Sequence, residues 1–266
     1  MKLGFIGTGT ITAAMVTGLS SLPEAIPIVL SPRNSKIAAD LASRHANVRV
    51  AATNQAVLDS CDIAVLAVRP QVASEVLAEL SFRADHQVLS LIATLPIRDI
   101  SSLTAPATWV TRAVPLPPVA RRQGPTAIYP SSPAIAALFN SLGASIELGS
   151  ENELDTFLAA TAIMGSYFSF ANTVSSWMTR KGVAPENAYT YVGKLLQGLA
   201  GATATTPGGN FASLASEHQT PGGLNEQLLR LVTRDGVFTD LDRALDAVLK
   251  RIQDAGSERS SSTAPQ

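Results

Sequence analysis

The stretch of sequence that decides the fold lies near the amino terminus and reads Leu3-Gly4-Phe5-Ile6-Gly7-Thr8-Gly9-Thr10-Ile11-Thr12. In a glycine-rich turn between a strand and a helix, the first glycine makes the tight turn. The second lets a pyrophosphate approach the backbone, and the helix N-terminus attracts its negative charge. The third glycine position is occupied here by Thr12, which adds bulk where helix and strand pack. We interpret five residues of this turn as dinucleotide contacts: Gly7, Thr8, Gly9, Thr10 and Ile11.

The sequence after this turn alternates apolar runs with helical patterns up to about residue 150. The run at residues 63–68 is apolar throughout and that at 87–92 is mostly apolar, as the strands of a parallel sheet covered on both faces require. After residue 150 the pattern is helical only. The predicted fold class is therefore α/β, with an N-terminal Rossmann-type parallel sheet domain followed by an all-α C-terminal dimerisation domain. The predicted boundaries are 1–150 for the dinucleotide-binding domain, 151–256 for the helical dimerisation and substrate domain, and 257–266 for a disordered tail.

The loop after the second predicted strand bears on the choice of cofactor. Its sequence is Ser31-Pro32-Arg33-Asn34, with Lys36 just beyond, and it contains no acidic residue. A site for NAD favours Asp or Glu at this point, whereas cations and hydroxyls suit the 2′-phosphate of NADP. We predict NADP(H), with NAD possible, and we assign Ser31, Arg33 and Asn34 as cofactor contacts.

Two further loops lie at places where ligands commonly bind, one after a predicted strand and one before a predicted helix. Ala67, Val68, Arg69 and Pro70 close a buried strand, and ligands of open α/β sheets lie beyond the carboxyl ends of the strands. We predict that these four residues also contact the cofactor. In the second half, the sequence 220–225 places two glycines before a helix, and the free amides of such a turn suit a carboxylate.

Composition limits the remaining function classes. The formal net charge is −1, which argues against a nucleic-acid surface. One cysteine and three well-separated histidines predict neither a disulfide nor a metal site. We see no signal peptide and no run of about 18 uninterrupted apolar residues, so we expect a cytoplasmic protein without membrane contact. Residues 151–180 are apolar on most faces, which predicts a homodimer through the C-terminal helices. We expect the substrate to be a small molecule.

These segments, in this order, resemble the pyrroline-5-carboxylate reductase family over residues 1 to about 252. The resemblance is carried by the opening 2–9, by Ala-Val-Arg-Pro-Gln at 67–71, by Thr-Ala-Ile-Met-Gly-Ser at 161–166 and by Thr-Pro-Gly-Gly at 220–223. It implies NAD(P)H-dependent reduction of a cyclic imine carboxylate in proline biosynthesis, at a site formed between two subunits. It also implies five substrate contacts: Gly165, Ser166, Gly222, Gly223 and Asn225.

The sequence departs from the family pattern near the expected substrate. Gly165-Ser166 is followed by Tyr167-Phe168 where the family has Gly-Pro, and Leu224-Asn225 replaces Thr-Thr. No nucleophile–base pair stands out, so the catalytic residues are left unknown. Three alternatives stay open: reduction of a related imine or keto acid, a β-hydroxyacid dehydrogenase, and a regulatory NADP-binding protein with weakened catalysis. The dehydrogenase would need a lysine in the long helix as general acid, and the sequence offers only Lys181 at its end.

Overall fold

The structure is a computed structural model that describes residues 1–204 and 210–262. The strands are β1 Leu3–Ile6, β2 Ile28–Leu30, β3 Val48–Val50, β4 Ile63–Leu66, β5 Gln87–Ser90, β6 Trp109–Val114, β7 Gly124–Tyr129 and β8 Gly143–Glu147. The helices are α1 Thr10–Ser20, α2 Ser35–Arg44, α3 Asn54–Leu58, α4 Pro70–Ala78, α5 Ile97–Leu103, α6 Pro133–Ser141, α7 Glu151–Ala160, α8 Ile163–Arg180, α9 Pro185–Ala204, α10 Phe211–Glu217, α11 Leu224–Arg234 and α12 Val237–Ser262. A short 3-10 helix, Pro117–Arg121, lies between β6 and β7.

The eight strands form one sheet in the order β3-β2-β1-β4-β5-β6-β7-β8, so β3 and β8 are its edge strands. Strand β1 pairs in parallel with both β2 and β4, and the strand order reverses between these two neighbours. The predicted Rossmann-type sheet with helices is confirmed. One pairing differs from an all-parallel sheet, because β7 runs antiparallel to β6. The connection between them is only a proline-rich turn and one 3-10 turn, which is too short for the crossover that a parallel neighbour requires.

The sheet is covered on both faces, because alternate residues of each buried strand enter different apolar clusters. Leu3 and Phe5 of β1 pack with side chains of α1, α2 and α6. Ile6, on the opposite face of the same strand, packs with side chains of α3, α4 and α5. Strands buried on both faces have apolar residues at nearly every position, which is why the continuous apolar runs predicted this arrangement.

The contacts between Cα atoms divide the chain into two units. The first comprises Met1–Ala159 and Leu249–Gln266, and the second comprises Ala160–Val248. These units do not coincide with the boundaries predicted at 150 and 256. The difference arises because α7 is tied to β6 by ion pairs of Arg112 with Glu151 and Asp155, and the end of α12 contributes a buried Ile252.

Two predictions about the helical half need correction. Residues 151–180 form two helices rather than one, since the chain turns at Thr161 and Ala162, where Met164 N donates to Thr161 O three residues back. Disorder is predicted from residue 257, but α12 continues to Ser262, since no proline interrupts the chain between Val237 and Ser262. Residues 263–266 of that predicted tail lie outside the described residues.

The region Glu151–Arg180 also has the length and mean hydropathy of a membrane-crossing segment. Only 6% of its most apolar window is buried within the chain. The segment resembles a membrane span in length and composition only, and a helix that is buried against a second subunit has the same length and composition.

Candidate functional site

The glycine turn after β1 has the geometry that a dinucleotide phosphate requires. Gly7 has φ +104°, and a Cβ atom there would lie 2.6 Å from Ala67 O, so only glycine fits. Gly9 is the N-cap of α1, and a Cβ atom at Gly9 would meet nothing within 4 Å. Within the described residues, no side chain caps this helix. The N-terminus of α1 therefore faces open space with its backbone N–H groups available to an anion.

Three buried hydroxyl groups hold this turn in place. Ser31 Oγ accepts a hydrogen bond from Gly7 N at 3.0 Å, and Thr8 Oγ1 donates to Ser31 O at 3.1 Å. Thr12 Oγ1 donates to Gly7 O at 2.8 Å. The bulk at the third glycine position is thus accommodated in the core, where its hydroxyl closes the turn. Ser31 is fully buried, so its hydroxyl group supports the turn from below.

The start of α2 provides a second place for a negatively charged group. Arg33, Asn34 and Lys36 are exposed there, directly after β2. Asn34 is the N-cap with φ 64°, and its side chain makes no capping bond within the described chain. Over the same residues, Arg33 forms no ion pair within 4.0 Å. A guanidinium beside an uncapped helix N-terminus is a suitable contact for a phosphate group.

The loops after β4 and β5 meet at the same edge of the sheet as the glycine turn. Ala67 N donates to Ile6 O, so the loop after β4 begins beside the end of β1. Leu91 N donates to Leu66 O, so the loop after β5 begins beside the end of β4. Val68 is partly buried against the apolar cluster of α3 to α5, and Arg69 is exposed as the N-cap of α4. The predicted cofactor contacts, at residues 7–11, 31, 33, 34 and 67–70, therefore lie along one edge, across the point where strand order reverses.

A charged cluster that the sequence did not reveal lies beyond β5. The Arg112 guanidinium is only 4% exposed and donates to Glu151 Oε1 at 2.7 Å and to Ala93 O at 2.8 Å. Asp155 Oδ1 lies 3.3 Å from the same guanidinium. Burial raises the pKa of the Asp155 carboxyl group, and the positive charge of Arg112 opposes that rise. These side chains, with Thr94 and Pro96, line a cavity of about 370 Å³.

The predicted substrate contacts in the helical unit are placed on two separate elements. Gly165 and Ser166 lie in the first turn of α8 and are exposed. Gly222, with φ +72°, and the N-cap Gly223 precede α11. The structure does not bring Gly165 and Ser166 together with this turn in any described contact.

The polar groups of the turn before α11 already have partners. Gly222 N donates to Glu226 Oε2 at 2.5 Å, and Gly223 N donates to Thr220 O at 2.7 Å. The Asn225 side-chain amide donates to His218 O at 2.8 Å. A substrate carboxylate would therefore have to displace the Glu226 carboxylate from the Gly222 amide.

A cavity of about 230 Å³ opens between α8 and α9. Its walls include Tyr167 and Phe168, whose rings meet edge to face at 5.3 Å, together with Tyr189 of α9. Tyr167 and Phe168 stand where the resembled family has Gly and Pro, so these two departures from the family pattern line an actual cavity.

Metal and thiol chemistry have little support in the described parts of the chain. No group of three or more His, Cys, Asp or Glu residues there could hold a metal ion. Burial raises the pKa of the Cys61 thiol to about 11, so this thiol stays protonated and is a poor nucleophile.

Comparison with known proteins agrees with this arrangement. Residues 2–94 match the family model described as NADP oxidoreductase, coenzyme F420-dependent, and residues 151–255 match the model of the pyrroline-5-carboxylate reductase dimerisation domain. Pyrroline-5-carboxylate reductase of Pseudomonas aeruginosa is 24% identical, with 94% of this chain and 95% of that protein covered.

Two solved structures share the fold. The reductase of Streptococcus pyogenes superposes with a TM-score of 0.82 at 23% identity, covering 97% of this chain and 98% of that one. The pyrroline carboxylate reductase of Plasmodium falciparum, solved with NADP bound, also gives 0.82 at 18% identity, with 96% and 98% covered. At these identities the likeness concerns the fold.

The sheet order, the glycine turn and the two matched regions define the class of the protein as an NAD(P)-dependent oxidoreductase with a C-terminal helical dimerisation region. Within that class, the matched dimerisation model, the curated relatives and the solved structures support the pyrroline-5-carboxylate reductase family.

Proposed function

We propose that this protein is an NADPH-dependent reductase of a cyclic imine carboxylate, with pyrroline-5-carboxylate as the first substrate to test. The observation that carries the proposal is the union, in one chain, of an NADP oxidoreductase match at residues 2–94 and a pyrroline-5-carboxylate reductase dimerisation match at 151–255. The bound nicotinamide would supply the hydride, so the protein's task is to bind, orient and exclude water.

The cofactor would lie across the carboxyl ends of the parallel strands. The uncapped N-terminus of α1 suits its pyrophosphate, and the open space at Gly9 gives the backbone access to it. Arg33 and Asn34 at the start of α2 would hold the 2′-phosphate, while Ala67, Val68, Arg69 and Pro70 would flank the cofactor beyond β4. The absence of an acidic side chain from residues 31–34 supports NADPH over NADH.

A bulkier cyclic imine is the second candidate substrate. Tyr167 and Phe168 add aromatic surface beside Gly165 and Ser166, and the neighbouring cavity measures about 230 Å³. The Glu226 carboxylate on Gly222 N also competes with a substrate carboxylate at that amide. Both features favour a substrate with more apolar surface than pyrroline-5-carboxylate.

The decisive experiment follows NADPH oxidation by the purified full-length chain with pyrroline-5-carboxylate and with a series of larger cyclic imines. We expect steady turnover with at least one imine and faster turnover with NADPH than with NADH. Tight NADPH binding without oxidation across the whole series would instead identify a regulatory cofactor-binding protein.

The choice of cofactor is tested by Arg33→Leu. We expect the Kd for NADPH to rise by about ten- to a hundredfold, because a charge-assisted hydrogen bond contributes roughly 1.5–3 kcal/mol, while the Kd for NADH stays unchanged. Arg44→Leu is the matched control, since Arg44 pairs with Asp40 at the opposite end of the same helix. An equal effect of both variants would contradict the phosphate role of Arg33.

We further propose that the active form is a homodimer through the C-terminal helices, in the cytoplasm. Support comes from the match to a dimerisation model and from large apolar side chains that stay exposed in the single chain, such as Phe168, Tyr189 and Leu224.

A further inference from the structure

The buried Arg112 holds a loop at the carboxyl end of β5. In the parallel register of β5 and β6, Arg112 lies beside Ser90, the last residue of β5. Its Nη2 atom donates to Ala93 O at 2.8 Å, three residues further along the chain. Arg112 therefore fixes the first part of the loop that leaves β5.

Glu151 holds the other end of the same loop. Its Oε1 atom accepts hydrogen bonds from Arg112 Nη1 at 2.7 Å and from Ile97 N at 2.8 Å. Ile97 begins α5, whose own N-cap residue makes no side-chain capping bond within the described chain. One guanidinium and one carboxylate thus clamp the segment 93–97 at Ala93 O and at Ile97 N.

The position of this segment relates it to one half of the cofactor. The strand order reverses between β2 and β4, so a dinucleotide that crosses this point places its two halves over opposite sides of β1. Arg33 and Asn34 follow β2 and mark the adenosine side. The loop after β5 lies on the other side, where the nicotinamide half must lie.

Charge favours a specific role for this clamp over simple packing. Arg112 is one positive group with Glu151 and Asp155 around it, and it is 4% exposed. Replacing a buried ion pair by apolar residues is often neutral or stabilising, so stability alone does not require one here. A planar guanidinium with two directed contacts does, however, fix a backbone segment more rigidly than an apolar contact.

We propose that Arg112, with Glu151, is a positioning residue that holds the segment 93–97 against the nicotinamide half of the bound cofactor. This inference rests on the proposed function. The clamp touches no reacting atom and acts through the backbone that it fixes.

The test compares the binding of the whole cofactor with the binding of its adenosine half alone. The probes are NADPH and adenosine 2′,5′-bisphosphate, which lacks the nicotinamide. In Arg112→Met we expect the Kd for NADPH to rise and kcat to fall, each by about tenfold, because a small misplacement of a positioned group costs one to two orders of magnitude. The Kd for the bisphosphate should stay unchanged, which a general loss of folding would not produce.

Three further variants complete the experiment. Glu151→Leu should also raise the Kd for NADPH and leave the Kd for the bisphosphate unchanged. It replaces Arg112→Met if that variant fails to fold, since Glu151 is the more exposed partner, with 30% of its side chain accessible. Glu151→Gln keeps the oxygen that accepts from Ile97 N and should restore most of the NADPH affinity. Arg44→Met removes an exposed ion pair and should change neither Kd.

Two results would overturn the inference. Equal weakening of both probes, or no change in either, in Arg112→Met and Glu151→Leu would show that the clamp does not act on the nicotinamide half. Failure of the wild-type protein to bind either probe would overturn the proposed function as well, so the two failures are distinguishable.

Discussion

At the scale of single residues, Ser31 supports the glycine turn through its hydroxyl group, which accepts from Gly7 N. We expect Ser31→Ala to weaken NADPH and NADH binding by the same factor, because the turn that holds the shared pyrophosphate loses its anchor. Equilibrium titration of both cofactors measures this. Ser43→Ala, an exposed serine of α2, is the control.

A direct contact between Ser31 and the 2′-phosphate would give a different pattern. In that case, Ser31→Ala would weaken NADPH selectively and leave the Kd for NADH unchanged. The sequence predicted Ser31 as a cofactor contact, and this comparison decides between contact and support.

His86 makes stability depend on pH. Its ring is fully buried, with Nδ1 accepting from Arg83 N and Nε2 against Leu58 O, and desolvation lowers its pKa from 6.5. Because the unfolded chain binds the proton first, the free energy of unfolding should fall as pH drops below 6.5 and level off once it passes the folded pKa.

The variant His86→Leu tests that dependence. It removes the acceptor of Arg83 N, whereas Leu58 O keeps its hydrogen bonds from Arg83 Nη1 and Cys61 N, so we expect it to lose about 1–3 kcal/mol at neutral pH. Its stability should then vary less than that of the wild type between pH 6.5 and the folded pKa. Urea unfolding at several pH values measures both effects, and parallel curves for the two proteins would rule out His86 as the source.

Some site residues follow from local sequence and others do not. Gly7 could be predicted, because a tight turn after a strand has a local signature. Arg112 and Glu151 could not, since they are 39 residues apart and the pair forms only when α7 packs on β6. Such a contact has no local pattern in a single sequence.

At the scale of elements, helix α1 lies unusually close to the 3-10 helix. A Cβ atom at Gly18 would lie 2.2 Å from Val119 O and 2.7 Å from Leu142 Cδ2. We expect Gly18→Ala to destabilise the protein by about 1–3 kcal/mol through overpacking, although alanine favours a helix by roughly 1 kcal/mol. Chemical denaturation measures the difference.

The neighbouring Thr17→Ala is the matched control for this prediction. It gains helix propensity without adding bulk and should therefore be neutral or slightly stabilising. If Gly18→Ala were as stable as Thr17→Ala, the close approach of α1 to Val119 would be wrong.

The elements themselves were easier to predict than their directions. Apolar runs located β6 and β7, but the antiparallel direction of β7 depends on the short connection through Pro117–Arg121. The break between α7 and α8 has no proline or glycine at the turn itself, so apolar periodicity predicted one continuous helix there.

At the scale of the whole molecule, α11 presents an exposed apolar stripe. Leu224, Leu228 and Leu231 recur at helical spacing and are all exposed, Leu224 by 83%. We expect Leu228→Asp to shift the protein from dimer to monomer, because a charge in an apolar interface is left without a partner. Light scattering coupled to size exclusion measures the mass.

The control for the dimer prediction is Thr233→Asp, which adds the same charge at an exposed position on the face of α11 opposite the three leucines. It should leave the mass unchanged. A monomeric wild type, or a dimeric Leu228→Asp, would place the contact between subunits elsewhere.

The two ends of the sheet have a consequence for self-association. An exposed edge strand offers unpaired backbone groups that can recruit a strand from another molecule and start aggregation. Here β3 has only three residues with Arg49 at its centre, and β8 ends at the charged Glu147. Short, charged edges discourage strand addition, so the sheet is protected from edge-to-edge polymerisation while the helices remain free to associate.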